Sequence, residues 1–144
     1  SSFEALALRA ELLQAVVRVG FQAPTEVQRR VIPAALAGGD LQVSAPTGSG
    51  KTASFLLPLL HQLPWPAGNS TEVPAPLALI VVPTRELAAQ VGQVSQTLVA
   101  EAASAPKVRL VQGGEALDDQ IAALAAGCDL LVAALHTGQK ALHL

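Results

Sequence analysis

The chain of 144 residues contains few aromatic residues, few charged residues and a single cysteine. Aromatic side chains make up 3 % of the sequence, so the core must be built mainly from Ala, Leu, Val and Ile. Charged residues make up 14 % and hydrophobic residues 51 %, a balance that excludes a chain disordered throughout. The lone Cys128 excludes an intramolecular disulfide and a multi-cysteine zinc site, and we interpret it as a small core residue.

The charge and the apolar runs exclude further classes. With a net charge of −2, no basic field covers the surface, so a site for a polyanion must be local. The longest uncharged run, residues 52–71, is interrupted by prolines and polar residues, so no membrane span is predicted. His61, His136 and His143 lack metal-ligand spacing. The sequence opens without the basic region of a secretory signal, and together with the lone cysteine this favours an intracellular, cytoplasmic or nuclear, location.

The order of predicted elements indicates the fold class. Apolar spacing predicts helices over Glu4–Val19, Glu26–Ala37, Lys51–Leu63, Thr84–Ala103 and Glu115–Ala126, the last ended by Gly127. Short apolar segments predict strands at Leu41–Ala45, Leu77–Val82, Val108–Gln112 and Asp129–Ala133, the second of them buried on both faces. Residues 64–76, rich in proline, predict a surface loop. Strands alternating with helices predict an α/β fold with a mainly parallel sheet flanked by helices.

The segment Ala45-Pro46-Thr47-Gly48-Ser49-Gly50-Lys51-Thr52 lies between a predicted strand and a predicted helix, the context of a phosphate-binding loop. Gly48 and Gly50 can adopt positive φ and let backbone N–H groups converge on phosphates, and the helix N-terminus adds partial positive charge. We expect Lys51 to bridge the β and γ phosphates of a nucleotide and the Thr52 hydroxyl to hold Mg²⁺. The alternative is a glycine-rich turn with a solvated lysine, because Ala45 replaces the first glycine of the commonest pattern.

An ordered set of residues around this loop resembles the DEAD-box family of ATP-dependent RNA helicases. The set consists of Phe3, Gly20-Phe21, Pro24-Thr25, Gln28, the loop at 45–52, Pro83-Thr84-Arg85-Glu86-Leu87-Ala88 and Gly113-Gly114. The resemblance extends from Phe3 to about Ala133. It implies a RecA-like P-loop domain, the N-terminal one of that family, incomplete at its C-terminal end. Residues 1–39 would form its Q-motif region and residues 40–144 its P-loop α/β core.

The resemblance implies roles for residues in a nucleotide site. The Gln28 segment resembles the adenine-reading Q motif, in which an amide pairs with the adenine N6 and N7. Phe21 and Phe3 would line or buttress the adenine pocket, Phe21 being the safer assignment; from the residues alone, either is equally a core residue. ATP or ADP with Mg²⁺ would be the cofactor, bound by Ala45, Thr47, Gly48, Ser49, Gly50, Lys51 and Thr52. From the residues alone, Thr25-x-x-Gln28 is a capping box, and both roles are compatible.

The resemblance also implies contacts with the RNA sugar-phosphate backbone. Pro83, Thr84 and Arg85 match the family's RNA-backbone motif, and Gly113 and Gly114 match its glycine pair. Read from the residues alone, the first segment is a capped helix start in which Arg85 and Glu86 pair as ions. The glycine pair alone is a strand-to-helix turn.

The sequence departs from the family after Ala133, where the family usually continues Thr-Pro-Gly-Arg and this chain reads Ala-Leu-His-Thr-Gly-Gln-Lys. It contains no Asp-Glu-Ala-Asp or Ser-Ala-Thr segment and no second RecA-like domain, and we interpret Asp118-Asp119 as a solvated helix face. We therefore expect adenine-nucleotide binding with little hydrolysis and no strand separation. We also expect unpaired strand edges that favour self-association or a partner segment. The alternatives are an inactive nucleotide- or partner-binding module and a P-loop ATPase of another helicase class.

Overall fold

The computed structural model describes residues 2–65 and 75–135. The predicted loop at 64–76 and the atypical segment after Ala133 fall mostly outside these ranges, as do His136 and His143. The chain divides into two compact units. The first contains residues 2–62 and 97–99, and the second contains the remaining described residues.

The first unit is helical. It contains a 3₁₀ turn, Phe3–Leu6, and the helices α1 (Ala10–Arg18), α2 (Glu26–Leu36) and α3 (Lys51–Gln62). Helix α2 packs against α3. The largest fully buried apolar side chains of this unit are aliphatic: Leu12, Val16, Ile32, Leu56, Leu57, Leu60 and Leu98. The second and third predicted helices are thus confirmed, with ends within a residue of those expected.

The predicted single helix over Glu4–Val19 is wrong, because the chain breaks between the 3₁₀ turn and α1. Ala7 adopts the left-handed conformation with φ 56°, and Arg9 is in the extended region ahead of α1. Leu6 and Leu8 are both buried. Residues two apart point to different sides of a continuous helix, and the break changes their relative directions so that both are buried. The His61 Nδ1 accepts a hydrogen bond from the Arg9 backbone N–H at 3.0 Å, which fixes the start of α1.

The predicted strand at Leu41–Ala45 is also wrong, since this segment forms no regular element. A strand is defined by the neighbour with which it pairs, and in the described parts of the chain the sheet contains three other segments only. Leu41 and Val43 are exposed, as expected for apolar residues that have no sheet to join.

The second unit is an α/β layer structure. Its order is β1 (Ala78–Val82), α4 (Arg85–Val99, up to residue 96 in this unit), β2 (Val108–Val111), α5 (Leu117–Ala125) and β3 (Leu130–Ala134). The sheet order is β1-β3-β2, and both pairings are parallel. In register, Ala78 and Val108 both pair with Leu130. The predicted parallel α/β architecture is confirmed.

The two helices lie on opposite faces of this sheet. A Cβ at Gly92 of α4 would lie 3.9 Å from Leu110, whereas Leu124 of α5 packs against Val111, Cys128 and Leu131 on the other face. Cys128 is a buried core residue, as expected, and burial raises the pKa of its thiol.

The expectation that the first strand of this sheet is buried on both faces is wrong. Leu79 is 52 % exposed and Val81 47 % exposed. Leu79 and Val81 lie on the same face of the sheet as Leu131. Helix α5 covers this face at β2, which forms the opposite edge of the sheet from β1. One face of β1 is therefore left open by the described elements of this unit.

Candidate functional site

The phosphate loop is built in the first unit from two turned glycines and the start of α3. Gly48 has φ 81° and Gly50 has φ 87°, the left-handed region that glycine adopts without strain. The Ser49 N–H donates to the Pro46 carbonyl at 3.2 Å and closes the turn. Helix α3 begins at Lys51, and the N–H groups of its first turn lack carbonyl acceptors four residues earlier. These N–H groups and the helix dipole suit an anion.

The side chains of the loop suit a polyphosphate as well. The Ser49 Oγ is buried and has no hydrogen-bond partner within the described residues. The Lys51 Nζ donates to the Ala45 carbonyl, so the ammonium group lies across its own loop. Thr52 is half-buried in the first turn of α3, and Thr47 is exposed at the turn. An unpartnered hydroxyl beside a lysine and free backbone donors fits the oxygens of a nucleotide polyphosphate.

The structure supplies one predicted side chain for Mg²⁺, the Thr52 hydroxyl. Among the described residues, no group of three or more His, Cys, Asp or Glu side chains comes together to hold a metal ion. The Thr52 hydroxyl would hold Mg²⁺ through an oxygen atom, the kind of ligand that this ion prefers. Asp118 and Asp119 are exposed in the first turn of α5, as expected for a solvated face.

Gln28 joins the start of α2 to the phosphate loop. Its Oε1 accepts from the Thr25 N–H at 3.0 Å, and its own N–H donates to the Thr25 Oγ1 at 3.4 Å, so the predicted capping box is present. Its Nε2 donates to the Gly50 carbonyl at 3.2 Å. The side chain is 4 % exposed. Gln28 therefore holds two backbone segments at once, a contact that the sequence pattern did not indicate.

This contact explains why position 50 requires glycine. A Cβ on Gly50 would lie 2.5 Å from the Gln28 Nε2 and 2.9 Å from the Thr25 Oγ1. A Cβ on Gly48 would meet nothing within 4 Å. The two glycines share positive φ, but only Gly50 is closely packed against α2.

The aromatic pair predicted for an adenine pocket is assembled in the same unit. The rings of Phe3 and Phe21 stack with centroids 6.2 Å apart and planes at 24°. Phe3 is buried and Phe21 is partly exposed. Phe3 therefore lies behind Phe21 as a buttress, and Phe21 is the ring that has an accessible face.

The residues predicted to contact RNA come together in the second unit. Pro83 and Thr84 follow β1, and the Thr84 Oγ1 accepts from the Leu87 N–H at 3.2 Å, so the helix start is capped. The Arg85 Nη1 donates to the Gly113 carbonyl at 3.2 Å. A Cβ on Gly114, which has φ 88°, would lie 2.5 Å from the same nitrogen. One arginine thus links the start of α4 to the glycine pair.

A residue that the sequence analysis did not single out holds the other side of that pair. The Gln120 Oε1 accepts from the Gln112 N–H at 3.2 Å, while its Nε2 donates to the Gln112 carbonyl at 3.0 Å and the Glu115 carbonyl at 3.3 Å. We call residues 112–115 the glycine turn. The sequence offers little to reveal this contact, since a glutamine in the first turns of a helix is common.

Within the described residues, no helix is long and apolar enough to cross a membrane.

Comparison with known proteins places the chain in one family. The family model of the DEAD/DEAH box helicases matches residues 25–142. A probable vasa-like ATP-dependent RNA helicase of Penaeus vannamei is 38 % identical over 135 residues, covering 92 % of this chain and 19 % of the relative. The ATP-dependent RNA helicase VAD1 of Cryptococcus neoformans var. grubii is 41 % identical over 132 residues, covering 92 % of this chain and 20 % of the relative. The chain thus spans about a fifth of the length of these curated relatives.

Solved structures agree in fold as well as in sequence. A DEAD box protein from Methanococcus jannaschii superposes with a TM-score of 0.79 at 35 % identity, over 92 % of this chain and 34 % of that one. The RNA helicase Prp28 from Chaetomium thermophilum, crystallised with ADP, gives a TM-score of 0.79 at 39 % identity, over 92 % and 32 % of the two chains. The family model match over most of the sequence, together with this RecA-like α/β architecture, shows that the chain belongs to the DEAD-box helicase family.

Proposed function

We propose that this chain is the adenine-nucleotide-binding part of an ATP-dependent RNA helicase, which couples ATP binding and hydrolysis to RNA binding and duplex unwinding. The observation that carries the proposal is the hydrogen bond from the Gln28 Nε2 to the Gly50 carbonyl. It connects the segment that resembles a base-reading motif directly with the phosphate loop. A simple glycine-rich turn would not require that connection.

The phosphate groups of ATP or ADP would be held by the first turn of α3 and the loop before it. Lys51 would leave the Ala45 carbonyl and bind phosphate oxygens, because a bond between an ammonium group and an anion is stronger than the bond to an uncharged carbonyl that it replaces. The Ser49 hydroxyl would gain the acceptor that it lacks in the described structure. A bound Mg²⁺ would neutralise phosphate charge, and the Thr52 hydroxyl would orient it.

The adenine base would be read by Gln28 beside Phe21. A carboxamide has two N–H donors and two acceptor lone pairs, and the bonds to Thr25 and Gly50 use one of each. The remaining donor and lone pair match the N7 acceptor and the N6 donor of adenine. Guanine presents an acceptor oxygen at the position of N6 and would be disfavoured. Capping of α2 and adenine contact are therefore compatible for one side chain.

The start of α4 and the glycine turn would bind the sugar-phosphate backbone of RNA. Thr84 and Arg85 offer a hydroxyl, a guanidinium group and the N–H groups of a helix N-terminus, and Gly113 and Gly114 allow close approach of their backbone. Contacts of this kind fix the position of a nucleic acid without reading its sequence. A local site also agrees with a net charge of −2 for the chain.

We propose that these 144 residues alone bind nucleotide without efficient turnover. Support comes from the sequence, which contains no Asp-Glu-Ala-Asp segment, and from the exposure of Asp118 and Asp119 on α5. The second candidate function, an inactive nucleotide- or partner-binding module, rests on the same observation. Two further statements stay predictions: that a second RecA-like domain of a parent protein is a partner of this chain, and that the protein is intracellular.

Self-association of the chain also stays a prediction. The open face of β1, with Leu79 and Val81 exposed, and the position of β1 at a sheet edge in the described parts of the chain favour it. Sedimentation over a range of protein concentrations tests it, and a monomer at every concentration contradicts it.

Calorimetric titration with Mg²⁺-ADP and Mg²⁺-GDP tests the nucleotide proposal. The wild-type chain should bind ADP and exclude GDP, Lys51→Ala should weaken ADP binding by roughly tenfold to a hundredfold, and Gln28→Ala should admit GDP. Lys107→Ala and Gln96→Ala are matched controls, since both side chains are exposed outside the loop. Equal binding of ADP and GDP contradicts the base reading, and no binding of either contradicts the nucleotide site.

An assay of RNA-stimulated phosphate release tests whether these 144 residues hydrolyse ATP, which neither candidate function expects. No release beside firm ADP binding supports a chain that binds without turnover. Measurable release that Lys51→Ala abolishes contradicts that statement and shows a complete catalytic centre.

A further inference from the structure

The glycine turn is held by a side chain that lies outside every motif identified in the sequence. The carboxamide of Gln120 bonds both main-chain groups of Gln112, accepting from its N–H at 3.2 Å and donating to its carbonyl at 3.0 Å. Gln112 follows β2 directly, and the Gln120 carboxamide bonds its N–H and its carbonyl as the backbone of a neighbouring β-strand would. A third bond, to the Glu115 carbonyl at 3.3 Å, reaches the far end of the turn.

These bonds matter because the turn has little stiffness of its own. Gly113 and Gly114 have no side chains to restrict them, and Gly114 lies in the left-handed region at φ 88°. Gln120 ties Gln112 to Glu115 across the pair, and Arg85 holds the Gly113 carbonyl from the start of α4. The turn is therefore fixed at both ends and at one point between them.

The same bonds occupy three backbone carbonyl oxygens of the turn, and the Glu115 carboxylate accepts a bond from the Gln112 Nε2 at 2.7 Å. The carbonyl oxygens of Gln112, Gly113 and Glu115 all accept intramolecular hydrogen bonds. A carbonyl oxygen repels a phosphate, and each of these is occupied by an N–H donor. Backbone N–H groups have the polarity that a phosphate requires, Gly114 is exposed, and a turn that is already fixed needs little further ordering on binding.

We infer that Gln120 is a positioning residue for RNA: it holds the glycine turn in the form that binds the phosphate backbone, without itself touching the nucleic acid. The inference rests on the proposed RNA contact of Gly113 and Gly114. It adds a residue of α5 to that function.

The test measures binding of a short fluorescent oligouridylate by anisotropy, for the full chain and for Gln120→Met. Methionine matches glutamine in length and in helix propensity but offers no amide, so RNA affinity should fall by about tenfold. The matched control is Gln96→Met, the same change at an exposed position of α4, which should leave affinity unchanged. Mg²⁺-ADP affinity should be the same for all three proteins.

Hydrogen exchange of backbone amides supplies a readout that a merely structural role would not give. In Gln120→Met the Gln112 amide should exchange faster, while amides in β3 and in the middle of α4 stay protected as in the wild type. If the methionine variant does not fold, Gln120→Asn, whose amide is one carbon shorter, replaces it with the same expectations.

Each contrary result has a distinct meaning. RNA affinity equal to that of Gln96→Met, beside a faster Gln112 amide, overturns the positioning role and leaves the RNA proposal standing. Unchanged exchange at Gln112 shows that the clamp does not hold the turn. Exchange that rises throughout the unit shows a general structural role, which also overturns the inference. A wild-type chain that binds no RNA overturns the RNA proposal, and with it this inference.

Discussion

The phosphate loop and the glycine turn use the same device at different depths of burial. In each, a glycine at positive φ lies beside backbone that a glutamine carboxamide holds by accepting one hydrogen bond and donating another. Gln28 accepts from Thr25 and donates to Gly50. Gln120 accepts from Gln112 and donates to Glu115. Gln28 is 4 % exposed, whereas Gln120 is only half-buried. The two backbone segments that we propose to bind phosphate groups are thus held by the same kind of contact, which is buried at the phosphate loop and close to solvent at the glycine turn.

The burial of each glutamine determines how much its hydrogen bonds contribute to the free energy of unfolding. A buried polar group that loses its partner retains its full desolvation penalty, about 1–3 kcal/mol, whereas water replaces a lost partner at an exposed site. The side chains next to Gly50 and Gly114 also differ in how firmly they are held. Gly50 faces a buried glutamine amide fixed by two bonds, and Gly114 faces the end of a long, flexible arginine side chain held by one bond to the Gly113 carbonyl. We expect the nucleotide loop to tolerate little change and the glycine turn to tolerate more.

The largest expected effect is that of Gly50→Ala. The new Cβ meets the Gln28 Nε2 at 2.5 Å and forces a non-glycine residue to φ 87°. The free energy of unfolding, measured by urea denaturation, should fall by about 3 kcal/mol. The matched control is Gly48→Ala, which has the same backbone strain and nothing within 4 Å of the Cβ, so it should cost about 1 kcal/mol. Equal losses would show that the packing of α2 on the loop is unimportant.

The next prediction compares the stability lost when each of the two glutamines is replaced by methionine. Gln28→Met removes a buried clamp and the capping box of α2, and should lower the free energy of unfolding by about 2 kcal/mol. Gln120→Met removes a clamp near solvent and should lower it by about 0.5 kcal/mol. Chemical denaturation of both variants under one set of conditions decides the matter. A larger loss for Gln120→Met would reverse the comparison drawn from burial.

The last effect is the small loss expected for Gly114→Ala, well below that of Gly50→Ala. Its Cβ would meet the Arg85 Nη1 at 2.5 Å, but a guanidinium group at the end of a flexible side chain moves aside easily. The loss should be about 1 kcal/mol, from backbone strain alone. In a double-mutant cycle with Arg85→Ala the coupling should stay below about 0.5 kcal/mol. A loss as large as that of Gly50→Ala would mean that Arg85 is held as firmly as Gln28.

Local features of this chain could be predicted from the sequence. The capping box, the turned glycines before α3 and the capped start of α4 depend on residues a few positions apart, and all are present. The alternation of strands and helices in the second unit is likewise a local pattern. Features that depend on distant neighbours could not be read in this way.

The missed features have specific physical causes. The segment at 41–45 has the composition of a strand but no partner in the described sheet, and composition alone does not reveal whether a partner is present. The break at Ala7 has no glycine or proline to mark it, and arises from burying both Leu6 and Leu8. The contacts of Gln28 with Gly50 and of Gln120 with Gln112 join separate elements, so periodicity contains no information on them.

The sheet order has a consequence for how the chain acquires its structure during synthesis. The central strand, β3, is the last of the three in sequence, and β1 and β2 pair only with it in the described sheet. As the polypeptide leaves the ribosome, β1 and β2 emerge before the strand that joins them. Neither of these pairings can form until α5 and β3 have been synthesised, so the described sheet is completed only after its central strand has emerged.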